Sequence, residues 1–200
     1  MNPGTMVPPA AVVVMQEVAD WNRWKSVFDN DMVNRKSAGM LGHHINRGHD
    51  NPNQVAVYLA LSDVAKARAF VASDALKRAM AEAGVKGKPE MIWLTPVSES
   101  LVWDRELPAM MVVHPVADFA RWHAEYKGAA GFQRELGVIG AAVNQLADDP
   151  STVVVYHQAE KHESLAALAA NPRLKAIMEK AGVKGPPRIT FHTGGWGKAY

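Results

Sequence analysis

Short runs of β-branched residues alternate along the chain with stretches whose apolar residues recur every three or four positions, and the whole succession occurs twice. Residues 11–17 (AVVVMQE) read as a strand. Asp20 stands where a helix N-cap belongs, and Trp21, Trp24 and Phe28 follow at helical spacing. Residues 40–47 and 54–61 read as two further strands, joined by the turn Gly48-His49-Asp50-Asn51-Pro52. An alanine-rich helical stretch runs from Ser62 to Ala83, with a break expected near Ser73-Asp74. Gly84 caps it, and Gly87 with Pro89 prevents continuation. Residues 90–96 (EMIWLTP) form a last strand. The order is βαββαβ, the ferredoxin-like motif, with both helices on one face of an antiparallel sheet.

The second occurrence lies 98 positions on, and residues 11–97 fall on 109–195 without a gap. Val18–Trp24 (VADWNRW) meets Val116–Trp122 (VADFARW), and Ala83–Pro89 (AGVKGKP) meets Ala181–Pro187 (AGVKGPP). The hairpin turns match too, Asp50-Asn51-Pro52 against Asp148-Asp149-Pro150. About 27 of the 87 pairs are identical. Amphipathic segments alone would not hold a constant offset through loops, so the chain reads as a tandem duplication. Repeat 1 is 11–97, repeat 2 is 109–195, 98–108 is a linker and 1–10 a flexible leader. The strands are apolar on both sides, so the sheet face away from the helices also needs cover. The expected α+β architecture therefore packs the two repeats sheet to sheet, as an intrachain pseudo-dimeric α/β barrel.

A resemblance supports this picture. The βαββαβ order at this length, the Asp-x-Pro hairpin turn and the AGVKG-x-P exit resemble the dimeric α/β-barrel, or ABM-like, superfamily. Its members include cofactor-independent monooxygenases, polyketide cyclases, lactone isomerases, haem-degrading enzymes and chlorite dismutases, so the resemblance implies a fold and fixes no activity.

Composition narrows the classes. The formal net charge is +2 and no run of five like charges occurs, which argues against a nucleic-acid partner. There is no cysteine, which removes disulfides, thiolate nucleophiles and cysteine-ligated metal sites, and fits a cytoplasmic setting. No stretch approaches a transmembrane helix, and the N-terminus lacks a signal-peptide pattern, so no membrane partner is expected. The expected assembly is a monomer with an internal pseudo-dimer or a further homodimer.

Strand parity proposes a site in a cavity between the sheets. Leu41, Ile45, Ile139 and Val143 read as facing the helices, as do Met91, Trp93, Ile189 and Phe191. The opposite parity carries His44 and Asn46 with Asn144, Tyr58 with Tyr156, and His192 beside Thr190. His114 is equivalent to Gln16, and its face is ambiguous. The candidate catalytic residues are His44, His192 and Tyr156; the candidate ligand-binding residues are Asn46, Tyr58, His114 and Asn144. Histidine can move a proton near neutral pH, and tyrosine and asparagine can hold a phenol or enolate oxygen. No metal is expected. His43 and His44 point to opposite faces of one strand, and His43, His44 and His49 all become alanine in the second repeat. No haem is expected either, because nothing marks His123 or His162 as an axial ligand.

The sequence thus leads to a small-molecule-binding protein without a cofactor. The alternative is a cofactor-independent monooxygenase, cyclase or isomerase acting on a small aromatic or polyketide-like substrate. A second alternative is a structural or oligomerising module. Whether the chain is an enzyme stays open at this point.

Overall fold

A computed structural model describes residues 7–200; most of the expected leader lies outside them. Those residues form eight strands and eight helices in two units, unit 1 reaching Leu94 and including Gly194–Tyr200, unit 2 comprising Thr95–Thr193. Among the described residues, no helix is long and apolar enough to cross a membrane.

Unit 1 contains β1 (Ala10–Val18), α1 (Trp21–Asn30), α2 (Met32–Ser37), β2 (Met40–Gly48), β3 (Gln54–Leu61), α3 (Val64–Ala72), α4 (Asp74–Glu82) and the first part of β4 (Val85–Ser100). Its antiparallel order is β2-β3-β1-β4, the ferredoxin-like arrangement. Asp20 caps α1 by accepting from the Arg23 N–H, and Asp63 caps α3 through Lys66. Ser73 breaks the long helical stretch, donating its hydroxyl to the Phe70 carbonyl while capping α4 at the Leu76 N–H. Trp24, Ile45, Val57 and Leu61 fill the space between helices and sheet.

Unit 2 follows the same order: β5 (Ala109–Pro115), α5 (Phe119–Gly128), α6 (Ala130–Glu135), β6 (Val138–Leu146), β7 (Thr152–Ala159), α7 (His162–Ala169), α8 (Pro172–Ala181) and the first part of β8 (Arg188–Ala199). Four elements, α1, α2, β2 and β3, have counterparts displaced by 98 residues at both ends. Its order is β6-β7-β5-β8. Asp118 caps α5, and Asn171 caps α8, whose first residue is Pro172. Both hairpin turns are turns here as well, lying between Gly48 and Gln54 and between Leu146 and Thr152.

Three sequence expectations need correction. Leu41 and Ile139 do not face the helices; they are 45% and 37% exposed. The pairing register slips between Met40 and Gly42, and again between Val138 and Gly140, so a bulge turns the intervening residue outward and puts Met40 and Val138 inside. The last strand of the first repeat is longer than 90–96: β4 runs through Ser100 into the expected linker. The closing GGWGKAY belongs to a strand, for β8 continues to Ala199 and Tyr200 donates its N–H to the Leu41 carbonyl. Gly42 permits this, since a Cβ there would stand 2.7 Å from the Lys198 carbonyl oxygen.

A candidate binding cavity in unit 2

The helix layer of unit 2 does not close onto its sheet. Between them lies a cavity of about 540 Å³. Its floor is Met110, Val112 and His114 from β5, Val155 and His157 from β7, and Ile189 from β8. Trp122 and Tyr126 from α5 and Gln133 from α6 form one wall, and Leu168, Leu174 and Met178 from α7 and α8 another. Lys175, Glu179 and the segment Gly185-Pro186-Pro187 line it at exposed positions, which makes this side the mouth.

Alternation along the strands explains which side chains arrive here. Val153 and Val155 pack under the helices with Trp122 and Tyr126, and His157 follows two residues on. His114 takes the face of Met110 and Val112 and meets Trp122 edge to face at 5.5 Å. Trp122 stacks on Tyr126 with ring centroids 5.0 Å apart. The Tyr126 hydroxyl and His157 Nε2 share a hydrogen bond of 3.0 Å.

The electrostatics follow from dryness. Burial lowers His157 from its ordinary 6.5 to about 4. Burial likewise takes His114 to about 4, against a smaller opposing effect of the Pro115 backbone. Burial also pushes the Tyr126 phenol well above its ordinary value. At neutral pH all three groups are therefore uncharged. Trp122 Nε1 and His157 Nδ1 are buried without a hydrogen-bond partner in the protein. The indole can only donate. The Tyr126–His157 pair keeps a donor in either tautomer: if the phenol donates to Nε2, Nδ1 carries a hydrogen, and if Nε2 donates, the phenol hydrogen is released. The interior of the cavity is thus largely apolar and uncharged, with charge only at the mouth, on Lys175 and Glu179. Among the described residues no group of three or more metal-ligating side chains occurs.

Unit 1 has the corresponding space, but filled. Its cavity is about 80 Å³, lined at matching positions by Gln16, Trp24, Phe28, Arg35, Val57 and Leu59. Phe28 and Leu59 stand where unit 2 has Tyr126 and His157, and the buried Arg35, where unit 2 has Gln133, lies 3.6 Å over the Phe28 ring.

The residues proposed by strand parity fall as follows. In unit 1, His44 and Asn46 are buried and share a hydrogen bond of 3.1 Å, with Tyr58 opposite His44 in register. In unit 2, Asn144 donates to the Val154 carbonyl, Tyr156 pairs with Ala142 and Met111, and His192 Nε2 lies 2.9 Å from Thr190 Oγ1. Burial lowers both His44 and His192 to about 4. These six occupy the sheet faces away from the helices, whereas His114 lines the helix-side cavity. Trp122, Tyr126, Gln133 and His157 were absent from the expected site. The signal that finds three of them is a difference between the two halves of the sequence: Phe28 to Tyr126, Leu59 to His157 and Arg35 to Gln133, all at helix-facing positions; Trp122 matches an identical Trp24.

No family model matches the sequence, and no curated protein matches it. Solved structures do. An anthrone oxidase-like protein superposes with a TM-score of 0.67 at 12% identity, over 95% of this chain and 92% of that one. A candidate monooxygenase from Fusobacterium nucleatum gives 0.64 at 13% identity, covering 98% and 96%. A ferredoxin-fold protein from Listeria monocytogenes, related to antibiotic biosynthesis monooxygenases, gives 0.56 at 9% identity, covering 96% and 98%. The fold is that of the ABM-like ferredoxin group. At these identities the likeness is one of fold, and function has to be argued from the site.

Proposed function

We propose that unit 2 binds a small, flat, largely apolar molecule, aromatic or polyketide-like, that carries hydrogen-bond-accepting oxygens. The observation that carries this reading is the uncharged Tyr126–His157 dyad on the wall of a cavity of about 540 Å³. In so apolar a space water does not compete for the dyad, so a guest with a matching acceptor gains a hydrogen bond there. The stacked Trp122 and Tyr126 rings give a planar guest an aromatic wall. A cation gains nothing from this site, because it offers donors and no buried carboxylate.

The second reading is a cofactor-independent monooxygenase, cyclase or isomerase. His114 and His157, unprotonated at neutral pH, are the groups placed to accept a proton; burial makes them weak bases, so the substrate in this reading is an acidic one, such as a doubly activated C–H. In an oxygenase the deprotonated substrate would itself supply electrons to dioxygen. The names of the structural neighbours agree with this reading without extending it to this chain. The residues proposed by strand parity, with His44, Tyr156 and His192 as acid–base groups and Asn46, Tyr58 and Asn144 as ligand contacts, remain a separate proposal on the other sheet faces. This reading also takes the chain as a cytoplasmic tandem duplication whose repeats form one pseudo-dimeric barrel. A structural module stands as the outcome if nothing binds.

The test is a titration with anthrone and 2-naphthol, followed through the methionine methyl resonances. Met110 and Met178 line the unit 2 cavity, and Met40, Met80 and Met91 line that of unit 1. Saturable shifts confined to Met110 and Met178, lost in a Tyr126→Phe/His157→Leu variant, are expected. Naphthalene binding as tightly as 2-naphthol would overturn the donor argument. Oxygen consumption with anthrone separates an oxygenase from a binding protein.

A further inference from the structure

Gln133 is the polar side chain of the unit 2 cavity that the Tyr126–His157 dyad leaves unexplained. It sits on α6, is 4% exposed and lines the cavity wall. Among the described residues none hydrogen-bonds its side-chain amide, yet neither amide atom is sealed from water. An amide that merely held the fold together would be bonded to nearby backbone, as Asn144 is to the Val154 carbonyl. Unit 1 has no such group at the matching position, where Arg35 lies against the Phe28 ring. Gln133 follows Tyr126 by seven residues, and Ala129, between α5 and α6, keeps a right-handed helical conformation. The two side chains therefore stand on one wall about two turns, or about 10 Å, apart.

We infer that Gln133 is a specificity-determining residue of the unit 2 cavity, selecting planar guests that carry a second neutral oxygen, hydroxyl or carbonyl, at the end of the frame away from the dyad. The inference rests on the proposed binding of planar apolar guests and adds a second polar contact to it. A glutamine amide both donates and accepts, so it serves a hydroxyl or a carbonyl equally well. It carries no charge, and the facing wall of Leu168, Leu174 and Met178 is apolar, so a charged group would lose its hydration there without compensation. A neutral oxygen instead fills the amide in a space where bulk water does not compete. The separation along the wall places the two oxygens on different rings of a fused frame, not side by side on one.

The probes are 2,6- and 2,7-naphthalenediol, and the controls are 6-methyl- and 7-methyl-2-naphthol, in which a methyl group replaces the second hydroxyl. Binding is read from the methyl resonances of Met110 and Met178, which line the cavity. At least one diol is expected to bind about tenfold tighter than its methyl control, the worth of one added hydrogen bond, although the control is the more apolar molecule. In Gln133→Leu the ratio of the two affinities should fall to about one, and the variant without ligand should melt no lower than the unaltered chain, since no protein partner is orphaned. If 2-naphthol binds but both diols only match or trail their controls, the role of Gln133 falls and the proposed function stands. If no naphthol binds, both fall. A ratio unchanged in folded Gln133→Leu would also overturn the assignment, and should that variant fail to fold, the comparison of diol with control in the unaltered chain decides.

Discussion

The helix–sheet spaces of the two units differ far more than their backbones do. Both are lined from the same strands and helices, and both carry a buried tryptophan at the same point of the first helix, Trp24 and Trp122. Yet one is about 80 Å³ and the other about 540 Å³. The residues explain the direction of the difference. Unit 1 has Phe70, Val71 and Arg35 where unit 2 has the smaller Leu168, Ala169 and Gln133. Unit 1 also keeps Phe28 and Leu59 apolar where unit 2 places a phenol and an imidazole. One helix–sheet space is thus packed closely around a buried arginine, and the other is left open around a phenol and an imidazole.

The comparison can be broken most severely at the tryptophans. Trp122→Ala and Trp24→Ala should each cost about 3–5 kcal/mol in denaturant unfolding, as expected for a large buried side chain. Trp24 should lie at the upper end, because its tighter surroundings leave less free volume to collapse into. Acid is the next lever. His157 has a folded pKa of about 4 against its ordinary 6.5, so the unfolded chain takes a proton that the folded chain refuses. The stability it contributes is complete above about pH 6.5 and is lost as the pH falls towards 4, about 3 kcal/mol in all. Thermal melts between these limits should show that loss, and His157→Leu should remove its share of the slope. Tyr126→Phe/His157→Leu, which gives unit 2 the residues of unit 1, should leave stability within about 1 kcal/mol, since both partners of one hydrogen bond are replaced together. A large loss would mean that the pair is structural. Smallest are the caps: Asp20→Ala and Asp118→Ala should each cost about 1 kcal/mol, and by equal amounts, because the two first helices begin with the same hydrogen bond.

How much of this could be read in advance depends on the range of the interaction. Local signals were clear: Asp20 as a cap, the break at Ser73 and the two Asp-x-Pro turns all lie where residue chemistry puts them. Parity held at Ile45, Val143 and Ile189 but failed at Leu41 and Ile139, because a bulge has no reliable mark in a single sequence. The length of β4 and β8 was hidden for another reason. Serine and glycine at Ser98, Ser100, Gly194, Gly195 and Gly197 disfavour strands locally, and pairing within the folded unit overrides that preference. The cavity was the least legible, since volume is a property of the packed helix layer. The polar replacements at Tyr126 and His157 were visible between the repeats, and only the packing gives them meaning.

The place of Gly194–Tyr200 in unit 1 bears on how that unit comes to be made. Arg35 bonds a tyrosine 165 residues away, and Trp21 packs on Trp196 with ring centroids 5.2 Å apart. A ribosome therefore releases nearly the whole polypeptide before the first-synthesised unit can acquire its final partners. Contacts of such sequence separation are slow to form. Until they do, nascent unit 1 presents β2 without the strand that will lie along Leu41, an unpaired edge of the kind that chaperones guard. A stop codon at Gly194 should thus harm the beginning of the protein more than its end.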